Sequence, residues 1–196
     1  MARDIIIYNN FYIEPDKISN AVDSLGFTFG KSDIYSAEVS VPIVPPDIID
    51  LMSSITSKEL VPSTDQYYGH ILHIEKDQHV SNTTYADWCM AVCIDDESLF
   101  SFYRHKEKLW DRYPGNKKRL NEISQEMADY GCSSKTEFDE KIINGECKDL
   151  KNWTVDTQIP LFKNRAILFR PDMWHKFIPV ENTSKIQLFF ANESDS

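Results

Sequence analysis

Residues 153–192 read WTVDTQIPLFKNRAILFRPDMWHKFIPVENTSKIQLFFAN, and this stretch constrains the fold more than any other. It holds two apolar runs with strand character, Arg165–Arg170 and Lys185–Ala191. His175 stands between them, just after the turn Arg170-Pro171-Asp172 and near the start of a further strand. Lys185 follows ten positions later. A histidine on one barrel strand with a cation one strand further on is a layout able to bind a metal and then anchor a carboxylate.

The chain ahead of this stretch changes period in a definite order. Asp4–Tyr12 is rich in Ile and Tyr and reads as an opening strand. Pro15–Leu25 reads as a helix, with proline in its first turn and Gly26 at its end. Pro45-Pro46 introduces a second helix, whose apolar stripe is Ile48, Ile49, Met52 and Ile55. Strands are expected over Tyr68–Glu75, Trp88–Ile94 and Leu99–Arg104. Lys106–Leu150 then reads as a helical insert, with Leu120, Ile123, Met127 and Tyr130 at helical spacing and Gly131 as C-cap. Ser134 and Glu137 form a capping-box pattern for a helix to about Ile143, closed by Asn144-Gly145. Helices first, then short strands with one helical insert, describe an α+β chain. The expected core is a jelly roll, or double-stranded β-helix, with helices packed on its outer face. The expected organisation is one domain over residues 1–196, with the insert at about 106–150.

Composition narrows the partners. The formal net charge is −10, which argues against a nucleic-acid backbone or an anionic membrane as partner and leaves a small-molecule, amino-acid or peptide substrate. No run of about 18 apolar residues is present, and the apolar N-terminal stretch Ile5–Tyr8 is too short for a secretory signal. Cys89, Cys93, Cys132 and Cys147 contain no C-x-x-C pair, so reduced thiols and a cytoplasmic location are expected. Cys89 and Cys93 share one face of a strand and read as small core residues.

A mononuclear iron centre of the oxygenase kind needs two histidines and one carboxylate on one face, with the remaining positions open. His175 is the first ligand expected, with Trp174 and Phe177 keeping its surroundings dry. Four histidines stand upstream: His70, His73, His79 and His105. Only His73 has an acid two residues on, at Glu75. His79 is better placed, because it leads into the strand Trp88–Ile94, but Ser81 stands where its acid belongs.

Several phrases together resemble the small 2-oxoglutarate/Fe(II)-dependent oxygenases of phage and cyanobacterial type. They are IIIYNNFYIEPD (Ile5–Asp16), the stretch from His79 through Tyr85-Ala86-Asp87-Trp88 to Ile94, FSFYRHK (Phe100–Lys106) and KNRAILFRPDMWHK (Lys163–Lys176). The resemblance covers most of the chain outside Lys106–Leu150. It implies a double-stranded β-helix, Fe(II) held by His79 and His175, and 2-oxoglutarate anchored by a cation on the Lys185–Ala191 strand. Arginine is usual there, and Lys185 is the nearest residue, a charged donor without the bidentate fork of arginine. The activity implied is oxidation, by hydroxylation, of a C–H bond.

The chain departs from that pattern at the acid. Three explanations stand side by side. Glu75, Asp77 or Asp87 supplies the third ligand; or the small Ser81 admits a halide, as in related halogenases; or the metal site is lost and the jelly roll binds a ligand without catalysis. Tyr103, His105, Arg165 and Trp174 are candidates for the pocket wall. Arg165, on an apolar strand, needs an acidic partner or holds a substrate carboxylate.

Overall fold

A computed structural model describes residues 4–27, 30–32, 37–63, 68–75, 80–83, 86–95, 97–114 and 120–194. In chain order the elements are β1 (Ile5–Asn9), α1 (Pro15–Leu25), β2 (Gly30–Ser32), β3 (Ala37–Val39), α2 (Ile48–Thr56), β4 (Leu60–Pro62), β5 (Ile71–Glu75), β6 (Trp88–Cys93) and β7 (Ser98–His105). The insert follows as α3 (Leu120–Asp129), α4 (Lys135–Lys141), a π-turn (Ile142–Glu146) and a 3-10 turn (Leu150–Asn152). The chain closes with β8 (Trp153–Leu161), β9 (Arg165–Phe169), β10 (His175–Pro179) and β11 (Thr183–Glu193).

The strands make two antiparallel sheets. The larger runs β1-β9-β6-β11-β5-β3-β2, with β4 on the far half of β11. The smaller runs β10-β7-β8, and Ser81 adds a bridge to His175 beyond β10. Strands successive in sequence, β9, β10 and β11, alternate between the two sheets, which is the winding of a jelly roll. The expected fold class is therefore the observed one.

Strand alternation decides what each side of the large sheet packs against. Ile186, Leu188 and Phe190 of β11 point between the sheets with Cys93, Ala91 and Cys89 opposite them in register. There they meet Phe100, Phe102 and Phe177 of the small sheet. The outward set, including Met90, Val92, Leu168 and Phe189, packs under Val22 of α1 and Ile48 and Met52 of α2. Each of these fully buried side chains contributes about 1.5–3 kcal/mol by leaving water, so a one-residue slip of β11 would exchange an apolar column for Lys185 and Gln187 at large cost. Cys89 and Cys93 are core residues, as expected.

Local signals set the helix ends. α1 starts at Pro15 and stops at Gly26, whose φ of 72° suits glycine. Ser134 accepts from the Glu137 amide at 3.2 Å, while the Glu137 carboxylate reaches back to the Ser133 amide at 2.9 Å. The insert packs as a third apolar cluster, in which Trp110, Phe138 and Trp153 cover Val80, Tyr103 and Trp174. Among the described residues no helix is long and apolar enough to cross a membrane.

Candidate metal centre

His175 is the first residue of β10 and is fully buried. Its ring lies inside the barrel against Phe169 at 4.9 Å, Phe100 at 5.5 Å and Phe177 at 6.0 Å between ring centroids. Burial pushes its pKa down to about 4, against a smaller upward pull from its backbone hydrogen bond, so the imidazole is neutral at physiological pH. Nδ1 donates to the Met173 carbonyl at 2.7 Å. A neutral ring with Nδ1–H committed to a carbonyl has its lone pair on Nε2. That tautomer, fixed by a backbone acceptor, is the state in which histidine ligates a metal.

Ser81 lies directly opposite. Its amide donates to the His175 carbonyl at 2.7 Å and the His175 amide donates back at 2.9 Å. Residues that exchange both bonds project their side chains from the same face. Val80, one residue earlier, packs outward into the insert cluster, so Ser81 and His175 share the inner face. The position expected to hold an acid is thus beside the histidine, and it is occupied by a buried serine.

The other histidines are dispersed. His70 bonds through Nδ1 to the Ser40 carbonyl. His73 alternates to the outside of β5, stacks on Phe27 at 5.0 Å and sits 3.8 Å from Glu38, so the spacing of His73 and Glu75 does not build a site inside the barrel. His105 accepts from the Lys108 amide on Nδ1 and donates from Nε2 to Glu146 at 3.0 Å. His79 lies outside the described residues. Of the acids considered as third ligand, Asp77 also lies outside them, Glu75 is exposed at the end of β5, and Asp87 accepts from the Glu193 amide at 3.1 Å. Among the described residues no three His, Cys, Asp or Glu side chains gather around a point where a metal ion could sit.

The pocket-wall expectations need correction. Tyr103, His105 and Trp174 face the insert instead of the barrel interior, because alternation along β7 puts Tyr103 and His105 on the side opposite Phe100 and Phe102, and the large aromatic cluster takes all three. Arg165 is at the surface, bonded to Asn9 and to the Pro160 carbonyl at 2.8 Å each and lying over Phe162.

Lys185 needs the same correction as anchor of a cosubstrate. It alternates with Ile186, so it points to the helix-covered side of the sheet while His175 lies inside. Its ammonium sits 2.7 Å from Asp23 of α1 and 2.7 Å from Asp95 in the β6–β7 connection. These bonds to carboxylates raise its pKa against the opposing effect of burial, and they occupy its donors in structure.

No family model and no curated protein matches the chain. Among solved structures it is similar to HygX from Streptomyces hygroscopicus, determined with nickel and 2-oxoglutarate bound. The TM-score is 0.53 at 10% identity, over 99% of this chain and 84% of HygX. The likeness is one of fold.

Proposed function

We propose that this chain is an oxygenase-type jelly roll that holds one Fe(II) ion through His175 and His79 and, with 2-oxoglutarate as the two-electron reductant, oxidises a C–H bond of a small-molecule, amino-acid or peptide substrate. One observation supports the reading above the rest: inside a fold similar to that of a metal- and 2-oxoglutarate-bound protein, a fully buried, neutral histidine presents Nε2 with its tautomer fixed by the Met173 carbonyl. His79 is proposed as its partner because His70, His73 and His105 are each engaged elsewhere.

Among the described residues the metal half has one ligand in place, His175, and Lys185 is not placed to anchor the cosubstrate. A bound Fe(II) would supply the activation of dioxygen. The chain's own part is to fix the ligand ring through Met173, to keep water from it with Phe100, Phe169 and Phe177, and to leave an uncharged hydroxyl at Ser81 where a carboxylate would otherwise balance the ion's charge.

The test is anaerobic titration of the purified chain with Fe(II), read by calorimetry and by thermal shift. Stoichiometric binding that His175→Ala abolishes supports the reading; a His175→Ala variant with full iron affinity refutes it. A second reading, a binding protein that kept the fold and lost the chemistry, is favoured by the serine at position 81 and by the outward Lys185. It predicts no iron binding at any pH from about 6 to 8, the range in which a histidine of ordinary pKa becomes a free ligand.

A further inference from the structure

We propose that Arg104 and Asp156 form an anchor at the open end of the barrel for the carboxylate and the ammonium of a free α-amino acid, whose side chain then extends toward His175. The inference deepens the reading of His175 and rests on it for the chemistry; the binding rests on the geometry of the rim.

Strand register places the pair. His175 lies directly across from Phe102, and Phe100 and Phe102 face the barrel interior. Alternation puts Arg104 on that same face, two residues further toward the end of β7. Two residues along and one strand across separate the backbones of Arg104 and His175 by roughly 8 Å, the scale of an amino-acid side chain. The inner face of the small sheet opens to solvent at this level. Ile159 and Leu161 of β8 are buried, whereas Thr154, Asp156 and Thr157 are exposed, although Thr157 is paired in register with the inward Phe102 and Thr154 with Arg104. A bulge brings the acid in. Phe102 pairs with Thr157 and Tyr103 with Val155, so Asp156 is the extra residue, and its carboxylate meets the Arg104 guanidinium at 3.1 Å. Bulges re-aim single side chains and are frequent beside active sites.

The pair suits a zwitterion. Both side chains are half-exposed, so their mutual attraction contributes little to stability and is easily exchanged for a ligand. A free α-amino acid carries the complementary charges on one carbon. The guanidinium fork takes its carboxylate through two parallel N–H···O bonds, and Asp156 accepts from its ammonium. A residue inside a peptide has neither charged group, and a dicarboxylate meets Asp156 as a like charge. Arg112, at the same end and opposite Met173, is more deeply placed and is held between Asp4 at 2.8 Å and Asp172 at 3.0 Å.

The experiment is calorimetric titration of the full chain, with and without Mn(II) as a redox-inert stand-in for iron, with each proteinogenic amino acid in free form. Any that binds is compared with its N-acetyl and carboxamide derivatives. At least one free amino acid is expected to bind saturably, and both of its derivatives about ten-fold or more weakly. Arg104→Met is expected to weaken the free amino acid by about ten-fold or more and to erase the preference for the acid over the carboxamide. Asp156→Asn is expected to erase the preference for the free amine over the N-acetyl form. Neither substitution should shift Tm by more than about 3 °C, since an exposed pair is lost. Three results would each overturn the proposal: no saturable binding in either metal state, binding untouched by both substitutions, or derivatives that bind as well as the free amino acid. Saturable 2-oxoglutarate binding that Arg104→Met abolishes would overturn it too, by making that arginine the anchor of the cosubstrate. Mn(II) titration without amino acid reads the metal centre separately. A chain that binds an amino acid through the pair but binds no Mn(II) keeps the anchor and loses the iron centre; one that binds Mn(II) but no amino acid keeps the centre and loses the anchor.

Discussion

Ser81 and His175 form one hydrogen-bonded antiparallel pair at the edge of the small sheet, and the serine is the residue whose side chain the backbone sets beside the histidine. A carboxylate at that position would be a ready third ligand. Ser81→Asp is therefore expected to tighten Fe(II) binding by roughly ten-fold or more, the scale on which ligand-shell changes act. Without metal the same variant should have a lower Tm, because the new carboxyl is buried beside a neutral ring, and added metal should restore it. An affinity equal to that of the wild type would mean that no metal sits next to Ser81. If a halide fills the serine position, the wild-type iron complex will respond to chloride and the aspartate variant will not.

Much of this fold was legible from periodicity alone. α1 begins at Pro15 and ends at Leu25, and β6 and β7 agree with expectation to within a residue or so, because proline, glycine and the switch from helical to strand period act locally. β8 was not legible: Thr154–Gln158 are all exposed on an edge strand, so no apolar pattern marks it. The short β2, β3 and β4 are pairings of three residues each, fixed by neighbours and not by their own sequence. His175 could be read because an apolar strand and a turn frame it. Lys185 could not, since one position of register decides which face a strand residue joins, and that register is set by β6 and β5, remote in sequence. Tyr103, His105 and Trp174, expected in the pocket wall, pack under the insert for a similar reason: Trp174 and His175 are adjacent in sequence and point to different clusters.

Trp174 is buried, in contact with Trp153 at 4.9 Å and Tyr113 at 5.9 Å, and its Nε1 has no hydrogen-bond partner among the described residues. Two opposing terms act on its replacement. Phenylalanine relieves an unsatisfied buried donor but leaves a gap, so Trp174→Phe should change stability by no more than about 1 kcal/mol. Trp174→Ala opens a cavity with nothing to offset it and should cost about 3–5 kcal/mol. Urea unfolding of the two variants separates these terms; a phenylalanine variant as destabilised as the alanine one would show that the indole N–H is satisfied in solution.

Glu146 ties the insert to the barrel. Its carboxylate accepts from His105 at 3.0 Å, from Asn152 at 2.7 Å and from the Tyr130 hydroxyl at 3.1 Å. His105 is the last residue of β7, so one side chain joins the small sheet, the π-turn and α3's end. Glu146→Ala leaves three donors without their acceptor, all on buried or half-buried residues, which costs about 1–3 kcal/mol per unsatisfied group. Hydrogen exchange should show faster exchange of amides in α3 and α4 and little change in β6 and β11. Uniform acceleration across the chain would mean that insert and barrel unfold together.

Asp139 gives the insert a pH dependence whose sign can be stated. Burial raises its carboxyl from the usual 3.8 to about 6, although Tyr113 donates to it and the Lys135 ammonium is 2.7 Å away. A carboxyl with a raised folded-state pKa binds a proton in the folded chain before the unfolded one does. Its favourable contribution is complete below about 3.8 and is lost as pH rises through about 6. Asp139→Asn keeps an acceptor for Tyr113 and removes the buried charge, while the half-exposed pair with Lys135 that it sacrifices is worth little. The variant should therefore melt a few degrees above the wild type at pH 8, and the difference should shrink toward zero by pH 4. Differential scanning calorimetry across that range checks it. A variant that melts lower at pH 8 would show that Lys135 stabilises the carboxylate by more than burial opposes it.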